Sequence, residues 1–160
     1  SLLRRRSPFP MARYLVGFLL LFSLLFHACG EAVEPSVPPS PVYYNLFLQD
    51  ARHRALLTPG GIVRITESST AQERVGRAGV AVVRSIEQES TFYAFDLQCP
   101  AETTEVISLE VENSRLVCPR CRSAFEVLQG TGRPEEGIAQ SPLRRYTVRS
   151  LGRDHLVVSN

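Results

Sequence analysis

The chain contains no lysine, so all 18 of its basic side chains are arginines, and it has only three histidines. Those arginines form no stripe. Arg4, Arg5, Arg6 and Arg13 all precede Cys29, where no acid occurs, and without them the formal charge of +2 turns slightly negative. Nucleic-acid binding needs a concentrated basic footprint, so that class is excluded. No segment shows sustained helical periodicity, which excludes a helical bundle. No apolar run is long enough to span a bilayer comfortably. The longest, Leu15 to Phe26, is broken by Gly17 and Ser23 and has the length of a signal-peptide core.

What is present near the N-terminus is an export pattern. Met11-Ala12-Arg13-Tyr14 opens a short basic segment ahead of the apolar run, and residues 1–10 precede that first methionine. The run ends in Phe26-His27-Ala28-Cys29-Gly30, which resembles a bacterial lipobox. The expectation is a signal peptide with upstream extension over 1–28 and acylation at Cys29, an N-terminal lipid anchor to the membrane. Phe26 and His27 depart from the usual lipobox residues. Glu31 and Glu34 follow where aspartate-type retention signals would need aspartate, so the expected location is the outer membrane, facing the periplasm or the cell surface. Residues 29–42, with Pro35, Pro38, Pro39 and Pro41, read as a lipidated cysteine and a proline-rich spacer.

From residue 43 to 160 the pattern predicts an all-β domain. Val42 to Leu48, Ile62 to Thr66, Gly79 to Arg84, Thr91 to Leu97, Tyr146 to Val148 and His155 to Ser159 are rich in β-branched and aromatic residues. Ala51 to Leu57 predicts one short helical turn, and Glu67 to Arg77 a polar loop. Ile107, Leu109 and Val111 alternate with polar residues as a half-buried strand would. Glu135-Glu136 lies in a Gly/Pro-rich stretch and reads as a solvated turn.

Two cysteine boxes interrupt these strands. Cys99-Pro100-Ala101 follows Phe92 to Gln98, and Cys118-Pro119-Arg120-Cys121-Arg122-Ser123-Ala124-Phe125 follows Leu116-Val117. The second resembles the Cys-Pro-x-His-Gly-Ser-x-Phe box of Rieske domains, and the first their Cys-x-His box. Gly137-Ile138-Ala139 and Pro142 to Tyr146 are similar to the family's later Gly-Pro-Ala, Pro-Leu and Tyr segment. Over 43–160 the chain thus resembles a Rieske [2Fe–2S]-like domain of the exported lipoprotein type. The resemblance implies stacked antiparallel sheets with a small subdomain whose two loops meet at the cluster.

A Rieske centre takes two thiolates on one iron and two imidazoles on the other. Cys99 and Cys118 fill the thiolate positions, but Ala101 and Cys121 stand where the imidazoles belong, so the ligand set is degenerate. Arg122 also replaces a glycine, and its bulk is expected to crowd the backbone amides there. Glu102 and His155 are the remaining candidates for a fourth ligand. Three outcomes follow, in order of preference. The first is no cofactor, with two of the three thiols in a disulfide, as an oxidising compartment favours. The second is a [2Fe–2S] cluster with atypical cysteine ligation, lower in potential than its histidine-ligated counterpart. The third is zinc on three cysteines plus a water or carboxylate. The expected role is a non-catalytic accessory or interaction module of an exported protein complex, with electron transfer as the alternative and no independent catalytic activity.

Overall fold

The computed structural model describes residues 32–160, so the signal-peptide segment and Cys29 lie outside the described residues. Eleven strands and one short 3-10 turn make up the domain. These are β1 Val42–Phe47, η1 Ala51–Leu57, β2 Ile62–Ile65, β3 Arg74–Val75, β4 Val80–Arg84 and β5 Phe92–Asp96. They continue with β6 Glu110–Glu112, β7 Arg115–Val117, β8 Ala124–Phe125, β9 Pro134–Glu136, β10 Arg145–Ser150 and β11 His155–Ser159. All ladders between named strands are antiparallel. The larger sheet runs β2-β4-β5-β10-β11-β1-β3 and the smaller β6-β7-β8-β9. The residue pattern predicted the all-β class, and the resemblance implied the two antiparallel sheets with a small two-loop subdomain.

The large sheet curls until its two ends share one core. Val42, Tyr44 and Leu46 of β1 pack in a single cluster with Val63 and Ile65 of β2 and with Val80 and Val82 of β4. The other face of the same sheet is covered too. Ala81, Val83 and Phe95 join Leu109, Leu116, Phe125, Val127 and Leu143 in a second cluster, which also contains Cys99 and Cys118. A strand buried on both faces must be apolar at every position rather than at every second one, which is why β4 reads Val80-Ala81-Val82-Val83 without alternation. The small sheet and its cysteine loops therefore sit on the large sheet through a continuous dry layer.

Several expectations need correcting. Glu135-Glu136 is not a solvated turn: both residues belong to β9, which pairs with β8, and Arg115 bridges them at 2.8 Å (Glu136) and 3.6 Å (Glu135). The alternating run from Ile107 forms only a Gln98–Ser108 bridge before β6 begins at Glu110, because its first residues cross from one sheet to the other. The polar stretch Glu67 to Arg77 includes β3, and it is organised by a buried carboxylate. Glu73 is 3% exposed and accepts from the amides of Asn45, Ser69 and Thr70.

Part of the proline-rich stretch lies on the domain. Val37 and Val42 are buried, and the Arg144 guanidinium donates to the carbonyls of Val37 and Pro35. Ser36 Oγ donates to Pro100 O at 3.2 Å, so this strap reaches the first cysteine loop. Among the described residues no helix is long and apolar enough to cross a membrane.

Candidate metal centre

Two loops carry the cysteines. The first leaves β5 through Gln98, whose side-chain amide donates to the carbonyls of Glu102 and Glu105 at 2.5 and 2.8 Å and so folds the loop back on itself. The second is the tight connection between β7 and β8. There Cys118 N donates to Ser123 O (2.9 Å) and Arg122 N to Cys118 O (3.0 Å). Arg122 has φ +60°, a left-handed conformation that favours glycine. The turn therefore keeps a glycine-like backbone with arginine in it. The expected crowding does not occur. The Arg122 side chain swings outward and forms a two-pronged ion pair with Glu112, at 2.9 and 2.7 Å.

Folding brings the three cysteines together. Their sulfurs all lie within 4.8 Å of one another, with Cys99 and Cys121 at 3.7 Å, and all three are free thiols. Cys99 and Cys118 are fully buried, whereas Cys121 is partly exposed. Ala101 is also partly exposed, packed against the cluster that contains the two buried cysteines. Inner thiols and outer positions are thus split by depth, with the two inner ones at Cys99 and Cys118 and the outer ones at Ala101 and Cys121.

The neighbouring groups treat these thiols unequally. Burial pushes the Cys99 thiol well above its ordinary range, and the Cys118 and Cys121 thiols add to that, against one opposing amide from Ala101. At Cys121 desolvation also acts upward, but it is outweighed by hydrogen bonds from the Ser123 side chain and backbone and from the other two thiols, so its pKa is lowered. Ser123 is the organising residue. Its Oγ accepts from the amides of Ile138 (3.1 Å) and Ala139 (3.0 Å), which occupies both lone pairs. Its own proton then has the Cys121 sulfur, 3.2 Å away, as its partner once Cys121 is a thiolate. The Ile138 segment can come this close because Gly137 has φ +91° and a Cβ there would lie 2.5 Å from Ser123.

A third contact joins the two loops. Arg120 of the second loop pairs with Glu105 of the first at 2.7 Å and with Glu102 at 3.6 Å. Sequence reasoning missed this clamp, because nothing in the spacing marks Arg120 as different from the other arginines.

The two candidates for a fourth ligand are accounted for otherwise. Glu102 faces Arg120 and its amide donates to Cys99 O. His155 stacks on Phe47 at 4.4 Å between ring centroids and meets Asn45 Oδ1 at 3.0 Å, far along the large sheet. The other described histidine, His53, is buried between Phe47 O (2.9 Å) and the Tyr44 hydroxyl (3.2 Å). Neither imidazole belongs to the thiol group. A Rieske cluster needs four donors divided between two irons, and among the described residues only three converge, so these residues do not fit it.

No family model and no curated protein matches the chain. Among solved structures, one similar chain comes from a complex of reduced oxygenase and oxidised ferredoxin in carbazole 1,9a-dioxygenase. It is 25% identical with a TM-score of 0.47, and the alignment covers 74% of this chain and 93% of that one.

Proposed function

We propose that the chain is a non-catalytic accessory module, lipid-anchored through Cys29 at the outer membrane, whose domain is a Rieske-like scaffold that no longer supports a [2Fe–2S] centre. The observation that carries this reading is the donor count at the loop tips: three sulfurs converge, and the residue at the fourth position is Ala101. A methyl group cannot ligate iron, and no other His, Cys, Asp or Glu among the described residues joins the group. The intact loop frame favours a role that uses the scaffold for association with a protein partner, in an exported complex.

Two experiments test it. Anaerobically purified full-length protein is expected to lack stoichiometric iron and acid-labile sulfide. A brown protein with a reduced-state [2Fe–2S] EPR signal would instead establish the electron-transfer alternative. For the anchor, Cys29→Ser should abolish fatty-acid labelling and release the chain from membranes; retention unchanged by the substitution refutes acylation at this site.

A further inference from the structure

We propose that the Cys99–Cys118–Cys121 nest is a complete site for a single soft, three-coordinate metal ion, monovalent copper. The proposal rests on the reading above, that the two-iron cluster is not supported, and explains what the remaining thiols can do.

The spacing suits one ion. Around a tetrahedral metal with metal–sulfur bonds of about 2.3 Å, neighbouring sulfurs lie ~3.8 Å apart, and flattening toward a trigonal plane opens this only slightly. Cys99 and Cys121 are 3.7 Å apart and every pair is within 4.8 Å. In a two-iron cluster, ligands on different irons are pushed further apart by the iron–iron span. Residues 99 and 121 would be such a pair, yet their sulfurs are in contact.

The surroundings select the coordination number. Ala101 and Ile107 pack with Cys121 against the apolar cluster that holds Cys99 and Cys118. No further His, Cys, Asp or Glu among the described residues joins the group, so the protein supplies three donors where a closed structural zinc site takes four. Thiolates select soft ions, and a closed-shell monovalent ion is saturated by three of them where zinc is not. Uptake converts three thiols and Cu(I) into a tris-thiolate of net charge −2, with three protons released to solvent. That charge has a partner in place: the Ser123 hydroxyl is 3.2 Å from the Cys121 sulfur.

The test uses full-length chain carrying Cys29→Ser, so that the nest supplies the only thiols. Under anaerobic conditions it is titrated with Cu(I) against a chromogenic bicinchoninate competitor. The expected result is one tightly held equivalent, with thiolate-to-copper charge-transfer absorbance. Cys121→Ser, at the exposed corner of the nest, should weaken binding by more than about a hundredfold, since even outer-shell changes cost roughly 10- to 100-fold. Circular dichroism should show that variant to be folded. Copper bound equally well without Cys121, or no tight equivalent at all, overturns the proposal. So does displacement of copper by equimolar Zn(II), which would assign a four-coordinate site. Stoichiometric iron with acid-labile sulfide in the starting protein would overturn the underlying reading as well, and is separately recognisable.

Discussion

At the scale of single residues, three side chains hold positions that simple pattern reading does not weigh. Ser123 is fully buried and serves two amides at once, so Ser123→Ala strands both. A loss of about 1–3 kcal/mol is expected in urea unfolding, the usual penalty for buried unpaired polar groups. Tyr146 donates to the buried Asp96 carboxylate at 2.6 Å, while the Gln98 backbone N–H donates to the other oxygen at 2.7 Å. Tyr146→Phe leaves that carboxylate half-served, and a cost of about 2 kcal/mol is expected by the same measurement. Burial, then the Asp96 bond, also push the Tyr146 hydroxyl above its ordinary range, so it stays a donor at any physiological pH.

Glu126 makes the pH dependence concrete. Desolvation works against its charge, but the Gln129 amide and the Thr131 hydroxyl and amide outweigh it, so its pKa falls below the ordinary 4.5. A carboxylate with a depressed folded pKa adds stability that is fully present above its unfolded value and disappears as pH falls through the folded one. Stability should therefore drop on acidification below about 4.5. Glu126→Gln should flatten part of that drop in melts run across the interval, and an unchanged slope would remove Glu126 as its source.

At the scale of elements, the two cysteine loops are separately anchored and jointly clamped. Turn geometry fixes each: the left-handed Arg122 in one and the Gln98 amide bonds in the other. Arg120 then joins them to each other through Glu105 and Glu102. Its side chain is about half exposed at 48%, so the pair contributes at most about 1 kcal/mol to global stability. Its effect is local. Arg120→Glu should barely move the melting temperature, yet Cys99 should be alkylated several-fold faster. Equal alkylation rates in the two proteins would mean the clamp does not govern access.

At the scale of the whole molecule, the proposed Rieske-like reading can be tested through the depth ordering of the nest. Positions 99 and 118 are fully buried, and 101 and 121 are partly exposed, so imidazoles at the outer pair could project over the inner thiolates with little disturbance of the core. The combined substitution Ala101→His with Cys121→His should therefore accept a [2Fe–2S] cluster on reconstitution, read as stoichiometric iron and sulfide with a reduced-state EPR signal. Cys121→His alone should fail, because position 101 still offers only a methyl group. A double variant that folds but takes up no cluster would confine the likeness to the strand framework.

The sequence by itself determined the longer strands and the identity of the chemistry-bearing residues. β1, β4, β5 and β11 were legible because β-branched and aromatic runs bounded by turn residues carry their own signal, and Cys99, Cys118 and Cys121 were legible as candidates because thiols carry ligand chemistry in their side-chain type. Only the tertiary structure decided which residues act together. Arg120 meeting Glu105, Ser123 meeting the Ile138 and Ala139 amides, Pro134–Glu136 becoming an edge strand, and the proline-rich strap lying on Pro100 all join segments distant in the chain. Such contacts leave no periodicity in the residue order. They arise when two sheets close on a shared apolar layer and bring whatever polar groups border it within hydrogen-bonding reach.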